Sequence, residues 1–154
     1  MQKQPERTGD RGIQLICQFE GLRLERYRDA VGLWTIGYGH LILKEEMEKL
    51  IKITTGEAKT LLRKDLKRTE DGVKKLLIHS ATQSQFDALV SFAFNLGHST
   101  APGKPLANIA ATLNRGDYDG ALRRMGLYVK QRRNGRLVTA PGLVNRRAAE
   151  AVCG

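Results

Sequence analysis

Apolar residues recur at helical spacing through most of the chain and alternate with polar ones in only one short stretch. Ile13, Ile16, Cys17 and Glu20 share the face of a first helix that Asp10 can cap and Gly21 ends. Between Tyr27 and Tyr38, β-branched and aromatic residues alternate with glycines, which predicts short strands and hairpins. The segment TTGEAKTLLRKDLKRTEDGVKKLL then reads as a long helix. Thr54 and Glu57 form its capping box, Ala58, Leu61, Leu62 and Leu66 its apolar stripe, and Gly72 invites a break. Thr82 and Gln85 form a second capping box opening QFDALVSFAFNLG, which is apolar on nearly every face and so expected to be a buried central helix. Leu106, Ile109, Ala110 and Leu113 mark a short amphipathic helix ending near Gly116. Another is expected from Asp117, and a last from about Pro141 to Val152. HSTAPGKP reads as a loop, and KQRRNGRLVTAPG as a basic turn and loop.

The 154 residues make one domain, without repeats or an evident linker. A hydrophobic fraction of 41% and a charged fraction of 27% are ordinary, but a formal net charge of +10 is not. Such a surface favours polyanions: nucleic acid, anionic membrane faces, or envelope polymers such as teichoic acids and lipopolysaccharide. An aromatic fraction of 6% offers few stacking platforms, and no zinc or RNA-binding motif appears, so no specific nucleic acid is expected. His40, His79 and His98 lack paired ligand spacing, and no P-loop or dinucleotide fingerprint is present, so neither metal nor cofactor is implied. The polar start MQKQPERTGDRG has no apolar signal region, and no run is long enough to cross a membrane. The expectation is a protein without membrane insertion that stays in the host cytoplasm until another factor releases it.

The candidate chemistry lies in FEGLRLERYRDAVGLWTIGYGH. Glu20 ends a helix, where unpaired carbonyls disfavour a carboxylate, and partial burial works the same way; both suit a general acid. Asp29, beside an open turn, should stay ionised as a base or electrostatic stabiliser. Two carboxyls in unlike environments suit glycoside hydrolysis. On spacing alone, the same residues fit a solvated helix end and an Asx-turn better than they fit catalysis.

The pieces FEG, TIGYGH, EAKTLLRKDL, QFDALVSFAFNLG, LNRGDYDGAL and PGLVNRR occur in order between about Ile13 and Val152. Through them the chain resembles the phage-type lysozymes, or endolysins, which hydrolyse peptidoglycan. The resemblance implies an α+β, mainly helical, lysozyme-like fold of two lobes. A small antiparallel-sheet lobe would span about 22–66, and a helical lobe about 1–21 plus 67–154, with a long helix between them. It implies Glu20, Asp29 and Thr35 as the catalytic set. They would cleave the β-1,4 bond between N-acetylmuramic acid and N-acetylglucosamine with inversion. Leu41, Phe94 and Asn95 match cleft-lining positions, although Phe94 equally fits plain core packing. The amide of Asn95, near the end of an apolar helix, needs a partner that a sugar could supply.

The same resemblance pairs His40 with Asp65, an ion pair expected to raise the histidine pKa and lower that of the aspartate. It also brings Cys17 and Cys153 into one lobe. A disulfide between them would add up to ~5 kcal/mol, against the two reduced thiols expected in a cytoplasm. Peptidoglycan and anionic envelope polymers are the implied partners of a monomer. The chain departs from the family in HLILKEEMEKLIKI, which looks like an amphipathic turn of helix, and in lacking a tryptophan near Tyr128. Three rival readings are a lytic transglycosylase on the same bond, a basic nucleic-acid-binding domain, and membrane disruption by basic helices.

Overall fold

The computed structural model describes residues 4–78 and 81–153; His79 and the first three residues of the polar start lie outside them. In chain order the elements are α1 (Asp10–Glu20), β1 (Arg23–Arg28), β2 (Trp34–Gly37), β3 (His40–Leu41), α2 (Thr55–Leu76), α3 (Gln83–Leu96), α4 (Pro105–Asn114), α5 (Tyr118–Met125), β4 (Lys130–Arg133), β5 (Arg136–Thr139) and α6 (Pro141–Cys153). The architecture is α+β and mainly helical. The chain divides into two compact units, Ile16–Lys67 and Met1–Leu15 with Arg68–Gly154. Both boundaries fall inside helices, so the last turn of α1, with Glu20, belongs to the smaller unit rather than to the helical one.

In the smaller unit, β1, β2 and β3 form an antiparallel sheet, with Tyr27 opposite Thr35 and Ile36 opposite His40. Its core is Ile16, Ile36, Ile53, Ala58, Leu62 and Leu66, each nearly or fully buried. Gly37 lets β2 approach α2 closely. A Cβ there would stand 3.4 Å from that of Ala58, on a backbone with φ of 70° that other residues avoid. The expected helical turn in HLILKEEMEKLIKI is only a 3-10 turn at Lys44–Glu46. The chain then returns to the sheet: Arg26 donates to the Ile51 carbonyl and Ile53 to that of Leu24, with a bridge between Glu25 and Lys52. Pairing along β1 satisfies these backbone groups, and this outweighs the local helical pattern.

The larger unit is built on α3, whose residues Phe86 to Ala93 are all buried. It packs against α4 and α6, and α4 packs against α5. Leu106, Ile109 and Met125 are among the core side chains that close around it. Both capping boxes form: Thr54 with Glu57, and Thr82 with Gln85, through reciprocal bonds of 2.9–3.1 Å. Asp117 caps α5 through the Gly120 amide at 2.8 Å.

Three expectations are corrected. Gly9 rather than Asp10 occupies the N-cap position of α1: its carbonyl accepts from Ile13 at 3.0 Å, while its own amide donates to buried Asp87 at 2.9 Å. Helix α2 runs unbroken through Gly72, because that glycine is a contact point: a Cβ there would meet the His98 carbonyl at 2.9 Å. The basic segment expected as a loop is the hairpin β4–β5, with Arg133 opposite Arg136 around Asn134 (φ 52°) and Gly135 (φ 78°). An Asn-Gly pair between short strands is the strongest local hairpin signal, so this element was legible in the sequence.

Candidate active site

Helix α1 stops at Glu20 because Gly21 takes a φ of 74°, its amide closing the last turn on the Cys17 carbonyl at 3.3 Å. Glu20 is half-buried, and its carboxylate stands over the β2–β3 turn. A Cβ on Gly39 (φ 80°) would be 3.8 Å from Glu20 Oε1, so the turn glycine leaves room for that carboxylate.

Asp29 organises the β1–β2 turn. Its Oδ1 accepts from the amides of Val31 at 3.0 Å and Leu33 at 2.9 Å, an Asx-turn as its position also allowed. Its Oδ2 accepts nothing among the described residues. The Asp29 amide donates to the Leu33 carbonyl at 2.8 Å, and the Thr35 hydroxyl donates to the same carbonyl at 3.0 Å. One carbonyl therefore ties the Asp29 backbone to the Thr35 side chain. With its only proton used on Leu33, the Thr35 oxygen meets anything else as an acceptor. Leu41 stands across from Thr35 on β3 and is 49% exposed, an apolar side chain beside a nearly buried hydroxyl.

Behind this surface His40 is held at both ring nitrogens. Nδ1 lies 2.8 Å from Asp65 Oδ2, and Nε2 lies 2.9 Å from Glu46 Oε1, an arrangement that calls for the imidazolium. Burial works to lower the His40 pKa, but the hydrogen bonds and charges of Glu46 and Asp65 outweigh it and the net shift is upward. For Glu46, burial is outweighed by the Leu43 amide and by His40, and its pKa falls. Asp65 goes the other way from the expected lowering. Its burial, helped by the like charge of Glu46, exceeds the pull of His40 and raises it. Sequence reasoning missed Glu46, whose role depends on the 3-10 turn that carries it.

Phe94 and Asn95 lie on α3 in the larger unit, both half-buried. Asn95 already has a protein partner, its Oδ1 accepting from Arg147 Nη2 at 2.8 Å. Arg147 belongs to a buried network that the sequence reading did not identify. Glu150 is fully buried. It accepts from the Ser91 hydroxyl at 2.5 Å and from Arg147 Nη2 at 3.1 Å, with Arg146 Nε 3.5 Å away. The signal was present in PGLVNRRAAE, where the acid follows the two arginines at helical spacings of three and four.

Cys17 and Cys153, the pair the resemblance allowed as a disulfide, are both free thiols in this structure. Each sulfur is engaged in its own unit: Cys17 beside the Tyr38 hydroxyl, and Cys153 facing the Ser84 carbonyl at 3.9 Å. Among the described residues no group of three or more His, Cys, Asp or Glu is placed to hold a metal ion, and no helix is long and apolar enough to cross a membrane.

A family model described as Phage lysozyme matches residues 17–150. The endolysin of Acyrthosiphon pisum secondary endosymbiont phage 1 is 35% identical over 141 residues, covering 92% of this chain and 92% of that protein. The endolysin of Bacillus phage PZA is 41% identical over 142 residues, 90% of this chain; the chain spans only 51% of that relative. Among solved structures, the muramidase domain of SpmX from Asticaccaulis excentricus superposes with a TM-score of 0.83 at 31% identity, covering 98% of this chain and 97% of that one.

Proposed function

The chain belongs to the phage lysozyme family, and we propose that it is an endolysin that hydrolyses the β-1,4 bond between N-acetylmuramic acid and N-acetylglucosamine in peptidoglycan. Glu20 protonates the glycosidic oxygen as the bond breaks. Asp29 and Thr35 hold a water that attacks the anomeric carbon from the opposite face, which inverts its configuration. The hydrogen bonding of Asp29 and Thr35 carries this reading. The Asp29 Oδ2 without a protein partner and the Thr35 oxygen with its proton committed to Leu33 are both acceptors. A water donating one proton to each keeps a lone pair for the sugar, and Asp29 takes up the proton released on attack. Inversion needs the two carboxyls roughly 6.5–9.5 Å apart, room for that water, rather than the roughly 5–5.5 Å of a retaining pair.

The test is turnover of purified peptidoglycan. Glu20→Gln should lower it by about 10²–10⁴-fold, the usual contribution of a general acid. Thr35→Val should also reduce it strongly while the fold persists. Proton NMR before mutarotation should find the α anomer first. An initial β product would make Asp29 a nucleophile and remove the water-holding role from Thr35. Release of an anhydro-sugar, read by mass, would replace hydrolysis with transglycosylation.

A further inference from the structure

Between Asp119 and Glu150 the sequence contains no acidic residue and eight basic ones. Four of the eight have a structural explanation. Arg146 and Arg147 are buried beside Glu150, and Arg123 and Arg124 end α5, where helix carbonyls favour cations. The other four, Lys130, Arg132, Arg133 and Arg136, are all on the β4–β5 hairpin and all exposed. Among the described residues no ion pair joins any of them to a carboxylate.

This arrangement is costly for the free protein. Arg133 and Arg136 face each other directly across the ladder, and like charges in that position destabilise a sheet pair. Every hairpin position is exposed except half-buried Val138, and a two-stranded ribbon without a buried face is marginal in water. A bound polyanion would offset the repulsion between the facing arginines. Lys130 and Arg132 repeat along one face at about 6.8 Å, two residues of strand rise, with Arg133 and Arg136 on the other face.

The composition of the hairpin narrows the class of polyanion. It contains no aromatic residue, so it offers nothing for a base to stack on, which disfavours nucleic acid. Its two apolar side chains are split between faces, Leu137 with Lys130 and Arg132, Val138 with Arg133 and Arg136. No apolar side is therefore available to enter a lipid surface. We propose that the β4–β5 hairpin is a docking site for a polyol-phosphate chain of the wall, of teichoic-acid type, held by Lys130, Arg132, Arg133 and Arg136. The choice of a wall polymer rests on the wall-lytic reading above; the binding itself needs none of Glu20, Asp29 or Thr35.

Binding of the full chain to immobilised poly(glycerol phosphate), measured across a salt series, tests this. The triple variant Arg132→Gln, Arg133→Gln, Arg136→Gln should bind at least about tenfold more weakly near 0.15 M salt. Its slope of log K against log salt should be shallower by about 2, three contacts at roughly 0.7 each. A variant with the same net charge, Lys49→Gln, Lys59→Gln, Lys75→Gln, should bind like wild type. The triple Arg→Lys variant should retain most of the affinity, which separates charge from folding, and hairpin amides should exchange more slowly in the complex. Equal weakening of both neutralised variants would mean diffuse attraction and overturn the site. Equal or tighter binding of single-stranded DNA, or unchanged hairpin exchange, would overturn it as well. Poly(glycerol phosphate) has no bond for Glu20 to cleave, so failure here leaves the hydrolase reading untouched, and failure of that reading leaves this measurement valid.

Discussion

Replacing His40 with asparagine removes the cation held between Asp65 and Glu46 and tests what secures the β2–β3 corner. His40 is 6% exposed, and its two charge-assisted bonds of 2.8 and 2.9 Å are worth roughly 1.5–3 kcal/mol each. The carboxylates keep side-chain exposures of 28% and 19%, so water recovers part of that on mutation. The net cost should be about 2–4 kcal/mol, short of the roughly 3–5 kcal/mol for breaking a fully buried pair. For a domain of this size a loss near ~3 kcal/mol lowers Tm by roughly 6–12 °C.

The pH dependence distinguishes an ion pair from simple packing. His40 has a folded pKa above its ordinary 6.5, so its contribution is complete below pH 6.5 and is lost as pH rises through the folded value. Glu46 is depressed, so its share is present above its ordinary 4.5 and is lost as pH falls through its lower folded value. Asp65 is raised by burial, and its ionisation therefore subtracts stability as pH climbs past its ordinary 3.8. The difference between wild type and His40→Asn should peak just below pH 6.5 and shrink in alkali. Urea melts of wild type, His40→Asn, Asp65→Asn and the double variant, run from pH 5 to 9, measure both the cost and the coupling. A cost under about 0.5 kcal/mol, or one that does not change with pH, would refute the ion-pair account.

Two further outcomes follow from packing in the larger unit. Gly72→Ala should destabilise the protein by about 1–3 kcal/mol despite the better helix propensity of alanine. Its Cβ would press on the His98 carbonyl at 2.9 Å; a stabilised variant in thermal melts would show that α2 and His98 can separate without cost. Glu150→Ala leaves Arg146 and Arg147 buried without their shared carboxylate and should cost about 3–5 kcal/mol. Chemical denaturation giving less than ~1 kcal/mol would mean that solvent reaches the two guanidiniums.

What the sequence determined by itself is local. The capping boxes at Thr54 and Thr82, the Asp117 cap, the buried face of α3 and the Asn134-Gly135 turn each depend on residues within one helical or hairpin turn. Their hydrogen bonds close over three or four positions whatever surrounds them. Glu20, Asp29 and Thr35 stood out through the family resemblance rather than by spacing, and Asp29 as a turn-forming residue as well.

Tertiary structure decided which distant groups meet and how dry each meeting place is. Arg147 reaches Asn95 across 52 positions, and His98 stands against Gly72, neither predicted by any local pattern. Glu46 joins His40 only because the segment after β3 gives up most of its helical pattern to pair with β1. Asp65 was expected to fall in pKa because its partner could be named, whereas the depth of its burial could not. A charge's energy depends on the water removed from around it as much as on its neighbour, and only the packed chain sets that amount.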